Sequence, residues 1–244
     1  RAGDGHGRMI VWDWGWQDAW AGDVIERLPT DVALQSVSEW SLPIERGGVK
    51  SEIGEYAISA VGPGPRATRH WALARARGLR TMAKLQVGNT WELSAVPYIP
   101  ALELVARHIC NLAEAGVDGV QLGWTLGGYP SPNVELTCEI SSMLRPDPEE
   151  AMRRVAARRF GPENADAVIE AWRAFSRAFT EFPYSCGTVY SAPMQYGPSV
   201  LVYEKPTGYS ATMTGFPYDD VDGWRTIYPA DVFAEQFEKI CQGW

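Results

Sequence analysis

The chain predicts an α/β fold built on a parallel sheet, and three observations carry that expectation. Short apolar β-type runs alternate with helix-period segments through residues 1–145 of 244. The connections between them are short, which favours right-handed strand–helix–strand crossovers. Each β run also delivers Trp, with carboxylate or amide residues, into a Gly- or Pro-rich loop: MIVWDWGW (Met9–Trp16), VALQSVSEW (Val32–Trp40), TMAKLQVGNTWE (Thr81–Glu92) and GVQLGWTLGGY (Gly119–Tyr129). Four such units are half of a (β/α)8, TIM-barrel-like fold. Four strands alone leave open edges, so the expected arrangement is the second half of a barrel with a C-terminal helical appendage. A small open α/β sheet is the alternative.

Taken in order, Met9–Trp14 reads as a strand, followed by a helix near Ala19–Leu28 with Trp20, Val24, Ile25 and Leu28 on one face. Strand Val32–Glu39 leads into an irregular insertion, Ser41–Pro65, which holds Gly47–Gly48 and the breaker Gly62-Pro63-Gly64-Pro65. Within it, Glu55–Val61 has the pattern of a short strand. Helix Arg66–Arg77 precedes strand Thr81–Gln86. Helix Ile99–Ala115 stops at Gly116 and feeds strand Val117–Leu126. Asn133 reads as the cap of a helix reaching Leu144.

Beyond residue 145 the pattern changes. Pro146-Asp147-Pro148-Glu149 is a helix start with acidic residues at the positive end of the dipole. Helices are expected at Pro148–Phe160 and Pro162–Phe182, then an irregular aromatic-rich span, Pro183–Tyr228, and a closing helix, Ala230–Gln242. The division is therefore a partial β/α barrel domain, 1–145, and a helical and irregular subdomain, 146–244. The cluster Arg153, Arg154, Arg158 and Arg159 reads as a solvated helix face.

Composition excludes several classes. The net charge of −8 argues against nucleic acid and anionic membrane partners, which require a basic patch. No apolar run approaches the length of a membrane span. Cys110, Cys138, Cys186 and Cys241 form no C-x-x-C pair; Cys110 and Cys138 lie in helical patterns and read as buried thiols. His6, His70 and His108 are scattered, so no metal site and no cofactor is implied. The opening RAGDGHGR shows no signal peptide, and the compartment is not legible from it.

In a barrel, chemistry sits at the C-terminal strand ends. Asp13 lies between Trp12 and Trp14, and side-chain alternation sends it to the face opposite both. Glu39 and Trp40 end the second unit. Lys84 and Gln86 share one face of the third strand, whose loop adds Asn89, Trp91 and Glu92; Trp124 and Tyr129 follow the fourth. The chain holds 11 Trp, and indole faces beside Asp, Glu, Asn, Gln and Lys suit a sugar. Glycoside cleavage usually takes two carboxyl groups. Glu39 and Glu92 are the candidate catalytic pair; Trp12, Asp13, Trp14, Trp40, Lys84, Gln86, Asn89, Trp91, Trp124 and Tyr129 are the candidate sugar-binding residues.

At VWDWGW, SVSEW, NTWEL and GWTLGG the chain resembles the C-terminal half of a glycoside hydrolase barrel, in the style of hexosaminidase-like (family 20-type) and related α-glucuronidase-like bacterial enzymes. The resemblance covers roughly Met9–Leu144. The Asp-Glu pair of hexosaminidases, within an H-x-G-G-D-E-like motif, has no counterpart here. The resemblance therefore implies that the Trp residues form pocket walls and that the main acid/base lies upstream of Arg1; substrate-assisted chemistry is implied by it alone. Two other readings stand beside a glycosidase: a non-catalytic glycan-binding barrel, and a barrel enzyme acting on another small polar metabolite with its Trp residues in the core. Phosphate substrates are disfavoured, because no Gly-rich anion-binding turn opens a helix.

Overall fold

The computed structural model describes residues 7, 9–123, 128–192, 204–213, 215 and 217–244. The expectations for Trp124 and for the strand end at Leu126 lie outside these residues. In chain order the elements are β1 (Ile10–Trp12), α1 (Asp18–Arg27), β2 (Ala33–Val37), β3 (Pro43–Arg46), β4 (Val49–Glu52), α2 (Pro65–Ala76), β5 (Arg80–Lys84), α3 (Leu102–Glu114), β6 (Gly119–Gln121) and α4 (Pro132–Ser141). There follow α5 (Pro148–Phe160), a 3-10 turn (Pro162–Asn164), α6 (Ala165–Phe179), α7 (Cys186–Ser191), α8 (Val221–Arg225) and α9 (Ala230–Gly243).

The fold is mixed α/β around a parallel four-stranded sheet of order β1-β2-β5-β6. Each strand lies beside its predecessor, so the sheet is wound in one direction only. Alternation along the strands then assigns two faces. Leu34 packs with Ile25, Ala74 and Leu79 of the helical layer, and Ala83, Leu85 and Val87 join the core that contains α3. Trp12, Gln35, Lys84 and Gln86 take the opposite face. The larger core is continuous, running from Trp71, Leu85 and Val105 through Met152 and Trp172 to Phe179 and Tyr184.

Several local expectations are corrected. The insertion is not wholly irregular. β3 and β4 form an antiparallel hairpin closed by Gly47 (φ 53°) and Gly48 (φ 78°), the left-handed pair that a tight hairpin turn requires. Glu55–Val61 forms no strand. α3 starts three residues late, since Pro100 and the non-helical Ala101 (φ −91°, ψ 55°) precede it. The cap of α4 is Ser131, whose hydroxyl accepts from the Val134 amide. Asn133 is instead buried inside the helix and donates to the carbonyls of Val87 and Ile99. In α1 the buried residues are Ala21 and Ile25, while Trp20 is exposed and meets the Trp16 ring at 6.0 Å. Cys138 is exposed, although Cys110 is buried.

Asp147 caps α5 by accepting from the Glu149 and Glu150 amides, with Arg158 and Arg159 at the negative end of the dipole. The arginine face is more than solvated. Arg154 reaches Glu139 and Glu150, Arg158 reaches Glu135 and Glu139, and Arg159 reaches Glu135, tying α5 to α4. Such exposed pairs each contribute at most about 1 kcal/mol.

Gly64 shows why the breaker uses glycine. Its amide donates to the Ser38 carbonyl at 2.7 Å, and a Cβ there would overlap the Trp40 carbonyl oxygen and press on the Glu39 backbone. Backbone cannot yield as a flexible side chain can. Gly64→Ala is expected to cost about 1–3 kcal/mol, read as a lower denaturation midpoint with unchanged slope.

Candidate functional site

The loop after β1 is anchored from the helical layer. Asp13 is fully buried and accepts from Ser36 Oγ (2.6 Å) and from His70 Nδ1 (2.6 Å), with Arg66 Nη1 at 3.4 Å. Arg66 also donates to the carbonyls of Asp13 (3.1 Å) and Trp16 (2.8 Å) and lies 4.5 Å over the Trp40 ring. Alternation thus turns Asp13 away from Trp12, and its carboxylate is engaged in holding β1 to α2. Trp40 is half-covered by the same guanidinium.

On the opposite face the side chains converge. Lys84 Nζ lies 5.2 Å from the Trp12 ring and 6.0 Å from the Tyr56 ring, and donates to the Gly123 carbonyl at 3.0 Å. Lys84 is 2 % exposed, and burial pulls its ammonium below the usual lysine range. Trp12 and Trp14 sit 5.8 Å apart, and Trp14 keeps 44 % of its surface exposed. Trp14 Nε1 donates to Glu55 at 2.9 Å, and the Tyr190 hydroxyl donates to the other Glu55 oxygen. Trp91 packs against Tyr190 at 6.4 Å. Gln86 is buried with neither amide atom partnered, and the Tyr56 hydroxyl is likewise unpartnered. Burial pushes the Tyr56 phenol up, with Glu55 and Glu39 adding to the effect.

The two predicted catalytic carboxyls are both fully buried. Glu39 follows β2 in a turn, fully enclosed, and no well-formed hydrogen bond reaches either oxygen. Burial holds its carboxyl well above the usual carboxylate range; its own amide and that of Ala57 oppose this, and the charges of Glu92 and Glu55 add to it. Burial thus favours the protonated form of this carboxyl. His108 Nδ1 faces it at 3.8 Å, while Nε2 of the same ring meets Ser38 Oγ at 2.7 Å. Burial brings His108 down to about 3, so the ring is neutral. A depressed histidine contributes stability that is complete above the unfolded value near 6.5 and is lost as pH falls toward 3. His108→Gln should flatten this acid limb of the stability curve, as followed by denaturant midpoints from pH 7 to pH 3.

Glu92 has a different placement. Its carboxylate accepts from the Ile58 amide (2.6 Å), the Ser59 amide (3.2 Å) and Thr90 Oγ1 (2.7 Å), so its lone pairs pin the loop after β4. Burial still raises its pKa, against those bonds. Asn89 also serves a loop, donating to the carbonyls of Ser94 and Val96. Tyr129 is exposed and lies parallel to Tyr98 at 6.3 Å. Among the described residues, then, Trp12, Trp14, Lys84 and Trp91 belong to one neighbourhood with Glu55, Tyr56 and Tyr190; Gln86 lies instead beside Ala57, Ile58 and His108, and Asp13, Asn89 and Glu92 are spent on backbone and loops.

Glu55, Tyr56 and Tyr190 are the residues that sequence reasoning misses. The first two fall in a segment with strand-like composition, and Tyr190 lies in the aromatic-rich span that has no periodicity to read. Among the described residues no helix is long and apolar enough to cross a membrane, and no cluster of His, Cys, Asp or Glu is fit to hold a metal. Comparison of the chain with known protein families, with curated proteins and with solved structures finds no match.

Proposed function

We propose that this chain is a glycoside hydrolase, or part of one, of TIM-barrel-like architecture, that binds a sugar against Trp12, Trp14 and Tyr56 at the strand C-terminal ends. The observation that carries the reading is the meeting of these rings with Lys84 and Glu55 on the sheet face opposite α1 and α2. Indoles stack on sugar C–H faces, and the buried polar groups supply directional bonds for hydroxyls. Glu39, whose carboxyl burial holds well above the usual carboxylate range, is the proposed proton donor, and Glu55 the carboxylate bonded to Trp14. Glu92 keeps the loop role that its three donors define.

A panel of aryl glycosides tests this. Glu39→Gln and Glu55→Gln are expected each to lower the hydrolysis rate at least about 100-fold, and Trp14→Ala to weaken sugar affinity. Glu39→Gln should also stabilise the fold near neutral pH. A carboxyl raised by folding stabilises below its unfolded value and loses that contribution as pH rises, and the amide has no charge to bury. The enclosure of Glu39 favours one second reading, a glycan-binding protein without hydrolytic activity; that reading predicts sugar binding with no turnover.

A further inference from the structure

Tyr190 and Glu55 are joined across 135 residues, and their arrangement has the parts of an activated nucleophile. We propose that Tyr190 is the catalytic nucleophile of this site and Glu55 the base that takes its proton. The inference rests on the glycosidase reading above and assigns the group that attacks the sugar.

Three observations support it. The Tyr190 hydroxyl donates directly to Glu55, so the proton it must lose already points at an acceptor. The second Glu55 oxygen is held by Trp14 Nε1 at 2.9 Å, which orients the base as the third member of a triad does. Trp91 packs on the Tyr190 ring, and Trp14, 44 % exposed, carries the pair's indole donor to the surface. The other carboxyls are poor candidates for nucleophile: Glu92 is spent on three donors, and Glu39, its carboxyl held well above the usual range by burial, is the proposed proton donor. Burial and the adjacent Glu55 push the Tyr190 phenol up. The phenol is therefore neutral at rest, and its proton leaves only as the new bond forms.

In the first step the phenol oxygen bonds to the anomeric carbon while the bond to the leaving oxygen breaks. The Tyr190 proton passes to Glu55, and the leaving oxygen takes the proton of Glu39. In the second step water attacks the anomeric carbon and gives a proton to Glu39; the bond to Tyr190 breaks, and the phenol recovers its proton from Glu55. Two displacements retain the anomeric configuration. A neutral nucleophile also tolerates a sugar with a negative group near the anomeric carbon, which a carboxylate would repel.

The test uses activated fluoroglycosides, neutral and acidic, that accumulate a glycosyl-enzyme, with the adduct mapped by tandem mass spectrometry and the anomer of the product read by proton NMR. An adduct on Tyr190 with retained configuration is expected, with Tyr190→Phe, checked for folding by circular dichroism, abolishing it and lowering kcat/KM at least about 100-fold. An adduct on a carboxylate, or hydrolysis with inversion and no adduct, overturns the nucleophile assignment and leaves the glycosidase reading standing. Absence of hydrolysis across the panel by the unaltered protein overturns both. Glu55→Gln separates base from anchor, because it should slow adduct formation steeply while melting temperature moves little.

Discussion

Arg66→Ala is expected to lower stability by about 3–5 kcal/mol, a large share of the roughly 5–15 kcal/mol that holds a domain together. Arg66 is 2 % exposed and serves five groups at once: the carboxylates of Asp13 and Asp18, the carbonyls of Asp13 and Trp16, and the Trp40 ring. Truncation leaves a fully buried carboxylate with only Ser36 and His70, and two carbonyls lose a charged donor. Breaking a buried pair from one side costs more than the pair itself contributes, because the remaining charge stays out of water. Arg66→Lys should recover less than half of the loss, since one ammonium cannot span the two carbonyls and the ring. Urea denaturation measures both; a loss under about 1 kcal/mol for the alanine variant would place the anchoring of β1 elsewhere.

That network marks where sequence reading succeeds and where it stops. Strand–helix alternation is legible because it is local: apolar runs and helical periodicity place β1, β2, β5 and α1 through α3 within a few residues. Alternation also predicts that Asp13 leaves the face of Trp12 and that Lys84 and Gln86 share one. It does not say what lies across each face. Asp13 resembles a ligand group until Arg66 and His70, more than 50 residues away, arrive to claim it. Glu92 is a plausible acid until the Ile58 and Ser59 amides fill its lone pairs. Glu55 is hidden for the converse reason: its partners Trp14 and Tyr190 are 41 and 135 residues distant. The hairpin was in principle readable, because a Gly-Gly pair between two β-type runs is a turn signal.

Lys84→Met is the second large effect, with opposite signs in two assays. The ammonium is nearly enclosed, its bond is to a neutral carbonyl, and its other neighbours are aromatic faces. Methionine retains most of the stem without the desolvated charge, so a gain of about 1–2 kcal/mol at neutral pH is expected. A lysine lowered by folding contributes least when charged and recovers as pH rises toward the unfolded value. The advantage of Met should therefore shrink in alkaline solution, which thermal unfolding at pH 7 and pH 10 would reveal. The same variant should bind sugar at least about tenfold more weakly, the usual effect of removing a charged donor. Equal affinity, by calorimetric titration, would remove Lys84 from the ligand's contacts.

The two faces of the sheet have a practical consequence for redesign. Positions 11, 13, 34, 36 and 83 answer to the helical layer, whereas 12, 35 and 84 answer to whatever occupies the opposite face. A combinatorial library confined to the second set should vary selectivity over a scaffold that still folds. One confined to the first should vary melting temperature with selectivity intact, and combinations drawn from both should come close to additivity.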